Sequence, residues 1–132
     1  MSDQATLDLV MQMMAIPGKT GEEGAIAEFV RDKLLDAGAD ANAIRFDTAH
    51  KRTPNHGEVG NLIFKLPGTF RGPRRLLMAH LDTVPICVGS KPKRRGNFVR
   101  SANPHSGLGA DDRAGAAVVL QTALECLHTD LP

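Results

Sequence analysis

At 132 residues the chain has room for one domain around one hydrophobic core, which would bury roughly two-thirds of its unfolded surface. Sixteen Lys and Arg against fifteen Asp and Glu leave a formal net charge of +1, so no long-range field favours nucleic acid or a membrane surface as partner. No apolar run approaches the eighteen or so residues needed to span a bilayer, and MSDQATLDLVMQMM lacks both the basic region and the small-residue cleavage site of a signal peptide. A cytoplasmic protein is expected, with Cys87 and Cys126 as reduced thiols.

In chain order, Leu7, Val10, Met11 and Met14 recur at helical spacing from about Thr6, and Pro17 and Gly18 stop the run. Methionines at this spacing fill a core more readily than they form a soft binding surface. TGEE offers Thr20 as N-cap with Glu23 reaching back to it, a capping box that opens a second helix. Ile26, Phe29, Val30, Leu34 and Ala37 keep one face of that helix apolar, and Gly38 stands where a left-handed residue ends it. IRFDT alternates, turning Ile44 and Phe46 inward as a half-buried strand does, while HKRTPNHGEVG is a polar loop. NLIFKL, from Asn61 to Leu66, is the next strand, ended by PGTFRGP. The run LLMA at residues 76–79 is apolar without alternation, which predicts a strand covered on both faces by helices. Residues 85–107 read as a long loop holding a short strand, NFVRS. Last, ADDRAGAAVVLQTALECLH carries Ala114, Ala117, Val118, Leu120, Leu124 and Leu127, a helix buried over most of its girth with Cys126 in the core. The order predicts an α/β class, a layered sheet flanked by helices.

Two short motifs carry chemistry. LLMAHLDTVP delivers His80 and Asp82 at the carboxyl end of the apolar run, and in extended chain residues i and i+2 point the same way. An imidazole beside a carboxylate suits a metal site, where one ring nitrogen binds the cation and the other donates its proton to the carboxylate. It also suits a strand end in which Asp82 merely caps the next turn. In GLGADDRAG, Asp111 and Asp112 are either first-turn acids favoured by the helix dipole or carboxylates able to bridge two cations about 3.5–4 Å apart. The two motifs in this order and separation favour the metal reading.

AHLDTVP followed by LGADDRAG resembles the signature of the two-zinc exopeptidase family that contains tripeptidase T, carboxypeptidase G, succinyl-diaminopimelate desuccinylase and acetylornithine deacetylase. PGKTGEE and GNLIFKLPG extend the resemblance along almost the whole chain, and LGADDRAG is similar to the tripeptidase T branch. The resemblance implies that residues 1–132 form the amino-terminal part of a zinc-peptidase catalytic domain, without the lid or dimerisation domain. It implies that His80 binds one of two divalent metal ions, zinc before cobalt or manganese. Asp82, the catalytic-site residue, orients His80, and Asp111 bridges both metals. Asp112 is not expected to be a ligand. A cis peptide would join Asp111 to Asp112, and Arg113 replaces the commoner Lys.

The same resemblance implies a general-base glutamate and further ligands that lie later in family sequences. Hydrolysis of short peptides from the amino end is therefore the expected activity of the complete enzyme, and this chain alone is expected to be inactive. A non-catalytic binding or assembly domain of the same fold, or a deacylase or carboxypeptidase of the family, are the alternatives. Lys91, Lys93, Arg94, Arg95 and Arg100 cluster in the loop between the motifs, but only Phe98 could stack on a base, so a solvated loop is favoured over a nucleic-acid site. Residues 112–128 are expected to lack the partners they would pack on in the complete enzyme, so self-association is expected.

Overall fold

The computed structural model describes residues 3–68 and 71–129; Thr69 and Phe70, inside the turn expected at PGTFRGP, lie outside them. Three helices, α1 (Asp3–Ala15), α2 (Gly24–Asp36) and α3 (Ala110–His128), pack with α3 against both others. Two antiparallel pairs flank them: β1 (Ile44–Phe46) with β2 (Leu62–Phe64), and β3 (Pro92–Arg95) with β4 (Phe98–Ser101). The class is α/β, as expected. No helix among the described residues is long and apolar enough to cross a membrane.

The core lies where the three helices meet. Leu9 and Met13 of α1, Ile26, Val30 and Leu34 of α2, and Ala116, Ala117, Leu120 and Leu124 of α3 form one buried cluster. On α1 the most buried positions are Leu9, Met13 and Met14 rather than the expected Leu7, Val10, Met11 and Met14. The helix is apolar on two adjoining stripes, and α3 selects one of them. Small residues on α3 explain the close approach, since Ala116 and Ala117 let the other helices reach its backbone.

The end of α2 follows the sequence. Gly38 N–H donates to the Leu35 carbonyl and Ala39 N–H to that of Leu34, the paired bonds of a Schellman close. Its start does not. Glu23 is the N-cap residue and caps nothing with its side chain. Gly21, at φ +91°, turns the chain first, and Glu23 Oε1 accepts from the Gly21 N–H. The first amide of α2, Gly24 N–H, instead donates to the Glu58 carboxylate at 3.0 Å, an acid well placed at a helix N-terminus.

β1 and β2 pair Ile44 with Phe64 and Phe46 with Leu62, and Ile44, Leu62 and Phe64 pack on the core. Asp47 closes the loop between them by accepting from Ala49 N–H, Asn61 N–H and Asn61 Nδ2. These bonds hold its pKa below the ordinary carboxylate value. The predicted NFVRS strand is β4, but its partner β3 arises from PKRR, which charge alone made look like loop.

Residues 76–79 depart furthest from expectation. Leu76 is 80% exposed and Met78 79%, and the segment belongs to no ladder among the described residues. Ala79 packs on the core, but Leu76, Leu77 and Met78 stay exposed. Between this segment and β2 opens a cleft of about 2120 Å³, whose other lining comes from Val30 and Leu34 of α2 and from Ala116, Leu120, Ala123 and Cys126 of α3. The helix α3 is buried along one stripe rather than most of its girth, and Val118 is exposed.

Candidate metal centre

Backbone bonds fix the place of the site. Thr83 N–H donates to the Gly18 carbonyl at 2.9 Å, and Thr20 N–H donates back to the Thr83 carbonyl at 3.2 Å, a parallel bridge centred on Lys19 and Thr83. The residues carrying His80 and Asp82 are thereby fastened to the turn between α1 and α2. From the other side, Arg113 at the start of α3 reaches the same Gly18 carbonyl with Nη2 at 3.4 Å and the Met13 carbonyl with Nη1 at 2.8 Å. Met13 needs that donor, because the residue four places on is Pro17, which has no N–H to close the last turn of α1. Arg113 is 0% exposed. Burial depresses its pKa, and the neighbouring Asp82, Cys87 and Glu23 work against that shift.

Asp111 and Asp112 precede the regular part of α3, with non-helical dihedrals and a cis peptide between them, as the resemblance implied. Asp112 Oδ1 accepts the Gly115 N–H at 3.0 Å and so caps the first turn. A Cβ at Gly115 would collide with that carboxylate, which explains the glycine. Asp111, its neighbour, has a side chain 97% exposed and turned towards His80.

The imidazole of His80 sits between two carboxylates. Nδ1 lies 3.1 Å from Asp82 Oδ1 and 3.1 Å from the Asp82 carbonyl, while Nε2 lies 3.2 Å from Asp111 Oδ1. Desolvation is the largest single influence on its pKa and lowers it, but the Asp82 carbonyl, the Asp82 charge and Asp111 together raise it above the ordinary value. Asp82 is held in turn: its Oδ2 accepts the Thr20 hydroxyl at 2.5 Å.

All three residues singled out in the sequence, His80, Asp82 and Asp111, meet at one point, and Asp112 is occupied elsewhere. A ring nitrogen and a carboxylate converging 3.2 Å apart are donors that suit zinc, and the other ring nitrogen already faces a carboxylate. They fit as part of a site only. Among the described residues no group of three or more His, Cys, Asp or Glu is placed to hold a metal ion, and a catalytic zinc takes three protein ligands plus water. Sequence reasoning missed Thr20, which it assigned to a capping box, and Arg113, which it treated as a minor change from Lys. Their partners lie 62 and 95 to 100 residues away in sequence.

No family model matches the chain. A curated relative, the [LysW]-lysine hydrolase of Deinococcus radiodurans, is 33% identical over 125 residues, covering 94% of this chain and 28% of that protein. The crystal structure of a tripeptidase from Staphylococcus aureus superposes with a TM-score of 0.84 at 26% identity, and that of the aminopeptidase PepT from Bacillus cereus with 0.80 at 25%. Each superposition covers 99% of this chain and 34% of the other. The chain is thus similar to tripeptidase T-like exopeptidases and carries a portion of their peptidase fold. It spans about a third of the length of the proteins it matches.

Proposed function

We propose that this chain supplies the first part of a metal-dependent amide hydrolase site, one that cuts short peptides from the amino end. The convergence of His80 Nε2 and Asp111 Oδ1, with Asp82 behind the ring, carries the reading. His80 and Asp111 are the metal ligands and Asp82 positions the ring. Two divalent cations, zinc first and cobalt or manganese as substitutes, would supply Lewis acidity that lowers the pKa of a shared water and polarises the peptide carbonyl. The chain's own residues bind and orient. His80 keeps one nitrogen unprotonated, Asp82 holds the proton on the other, and exposed Asp111 offers both oxygens for bridging. A general base and the remaining ligands come from outside these 132 residues, so the chain alone does not turn over. Cytoplasmic location and a homo-oligomeric state complete the proposal.

The Deinococcus relative, a [LysW]-lysine hydrolase, favours a second reading, the deacylase alternative, with a substituted lysine as substrate. Incubation of the purified chain with zinc or cobalt and either a tripeptide or an acyl-lysine tests both. Absence of turnover is expected; robust, metal-dependent hydrolysis would refute the incomplete-site reading, and the substrate consumed would choose between the two classes.

A further inference from the structure

We propose that Thr20 is a positioning residue for this site: by donating its hydroxyl to Asp82 Oδ2 it fixes the carboxylate, and through it the tautomer of His80. The inference rests on the reading of His80 as a metal ligand. An aspartate carboxylate can turn about its last bond, and in water its two oxygens exchange places. Here each is held by a different partner, Oδ2 by Thr20 at 2.5 Å and Oδ1 by His80 Nδ1 at 3.1 Å. A carboxylate so pinned accepts a hydrogen bond from Nδ1–H, beside the Asp82 carbonyl that faces the same nitrogen at 3.1 Å, and leaves Nε2 with its lone pair towards Asp111, the form a cation requires.

The anchor is rigid for a reason independent of the side chains. Thr20 N–H bonds the Thr83 carbonyl and Thr83 N–H bonds the Gly18 carbonyl, so the hydroxyl and its acceptor are carried by two backbone segments joined on either side of the contact. Thr20 is exposed and caps no helix. Its hydroxyl therefore has no other structural duty among the described contacts.

The test uses the metal-free chain, labelled with nitrogen-15, at a pH where imidazole is neutral. Long-range proton–nitrogen correlation reports which ring nitrogen of His80 is protonated, with His80→Ala identifying the signals. Wild type and Thr20→Ser are expected to show the Nδ1–H form alone, whereas Thr20→Val and Thr20→Ala show a mixture. Cobalt titration followed by visible absorption should then weaken by about tenfold in Thr20→Val and Thr20→Ala and recover in Thr20→Ser. A pure Nδ1–H tautomer with unchanged cobalt affinity in both Thr20→Val and Thr20→Ala overturns the inference. If the tautomer shifts as stated but wild type itself binds no cobalt, the positioning role stands and the two donors of this chain do not by themselves hold a metal.

Discussion

Arg113→Ala is expected to lower the unfolding free energy by about 3–5 kcal/mol, read from urea unfolding curves. Two losses combine. The Met13 carbonyl loses its donor in a buried place where Pro17 cannot replace it, and an unsatisfied buried acceptor costs about 1–3 kcal/mol. The space left by a fully buried stem adds a cavity term, as in other large-to-small core changes. Because domains of this size are stable by only about 5–15 kcal/mol, such a loss leaves a substantial unfolded fraction. Arg113→Lys keeps the charge and most of the stem but offers one compact ammonium where the guanidinium forks to two carbonyls. About half the loss is expected there. Unfolding of Arg113→Ala within about 0.5 kcal/mol of wild type would show that water or a shifted backbone satisfies Met13 equally well.

The second large effect concerns metal. His80→Ala is expected to abolish detectable cobalt binding, since it removes the one nitrogen donor of the converging pair. Asp111→Asn should also weaken binding, because an amide cannot bridge two cations as a carboxylate does. Asp82→Asn keeps the shape but loses the charge behind Nδ1, and a loss of about 10–100-fold is expected, the usual effect of such outer partners. Calorimetry or cobalt absorption measures all three. Wild-type affinity in His80→Ala would place the binding elsewhere and remove the basis for the site. The folded state should survive each change, since the side chain of His80 is about half exposed, that of Asp111 almost wholly so, and Asp82→Asn keeps the shape of the original.

Much of this was legible because it was local. The helical period of α2 and its Gly38 close, the alternation of Ile44 and Phe46, and the pairing of His80 with Asp82 two residues on all depend on neighbours within one turn or one pleat. The adjacent Asp111 and Asp112 stood out as a motif and the resemblance chose Asp111 of the two, but the 3.2 Å contact with His80 is what residue order alone could not supply. The misreadings were long-range. TGEE fits a capping box by pattern, yet Glu58 reaches Gly24 across 34 residues and frees Thr20 for Asp82. Arg113 looked like a mild departure from Lys because nothing near it in sequence shows that Pro17 has left Met13 without a donor. LLMA was read as a covered strand because its composition asks for burial, and composition cannot say where the cover comes from.

Met78 stands almost fully in solvent on the uncovered segment, while Met13 and Met14 are sealed in the core. A mild oxidant reaches the thioether of Met78 first and turns it polar. Polarity there works against whatever apolar surface would close over residues 76–78, so the segment can be spoiled for docking without any change in the helices beneath it. The same atom is a ready gauge of cover: its sulfur stays reduced only while something lies across it.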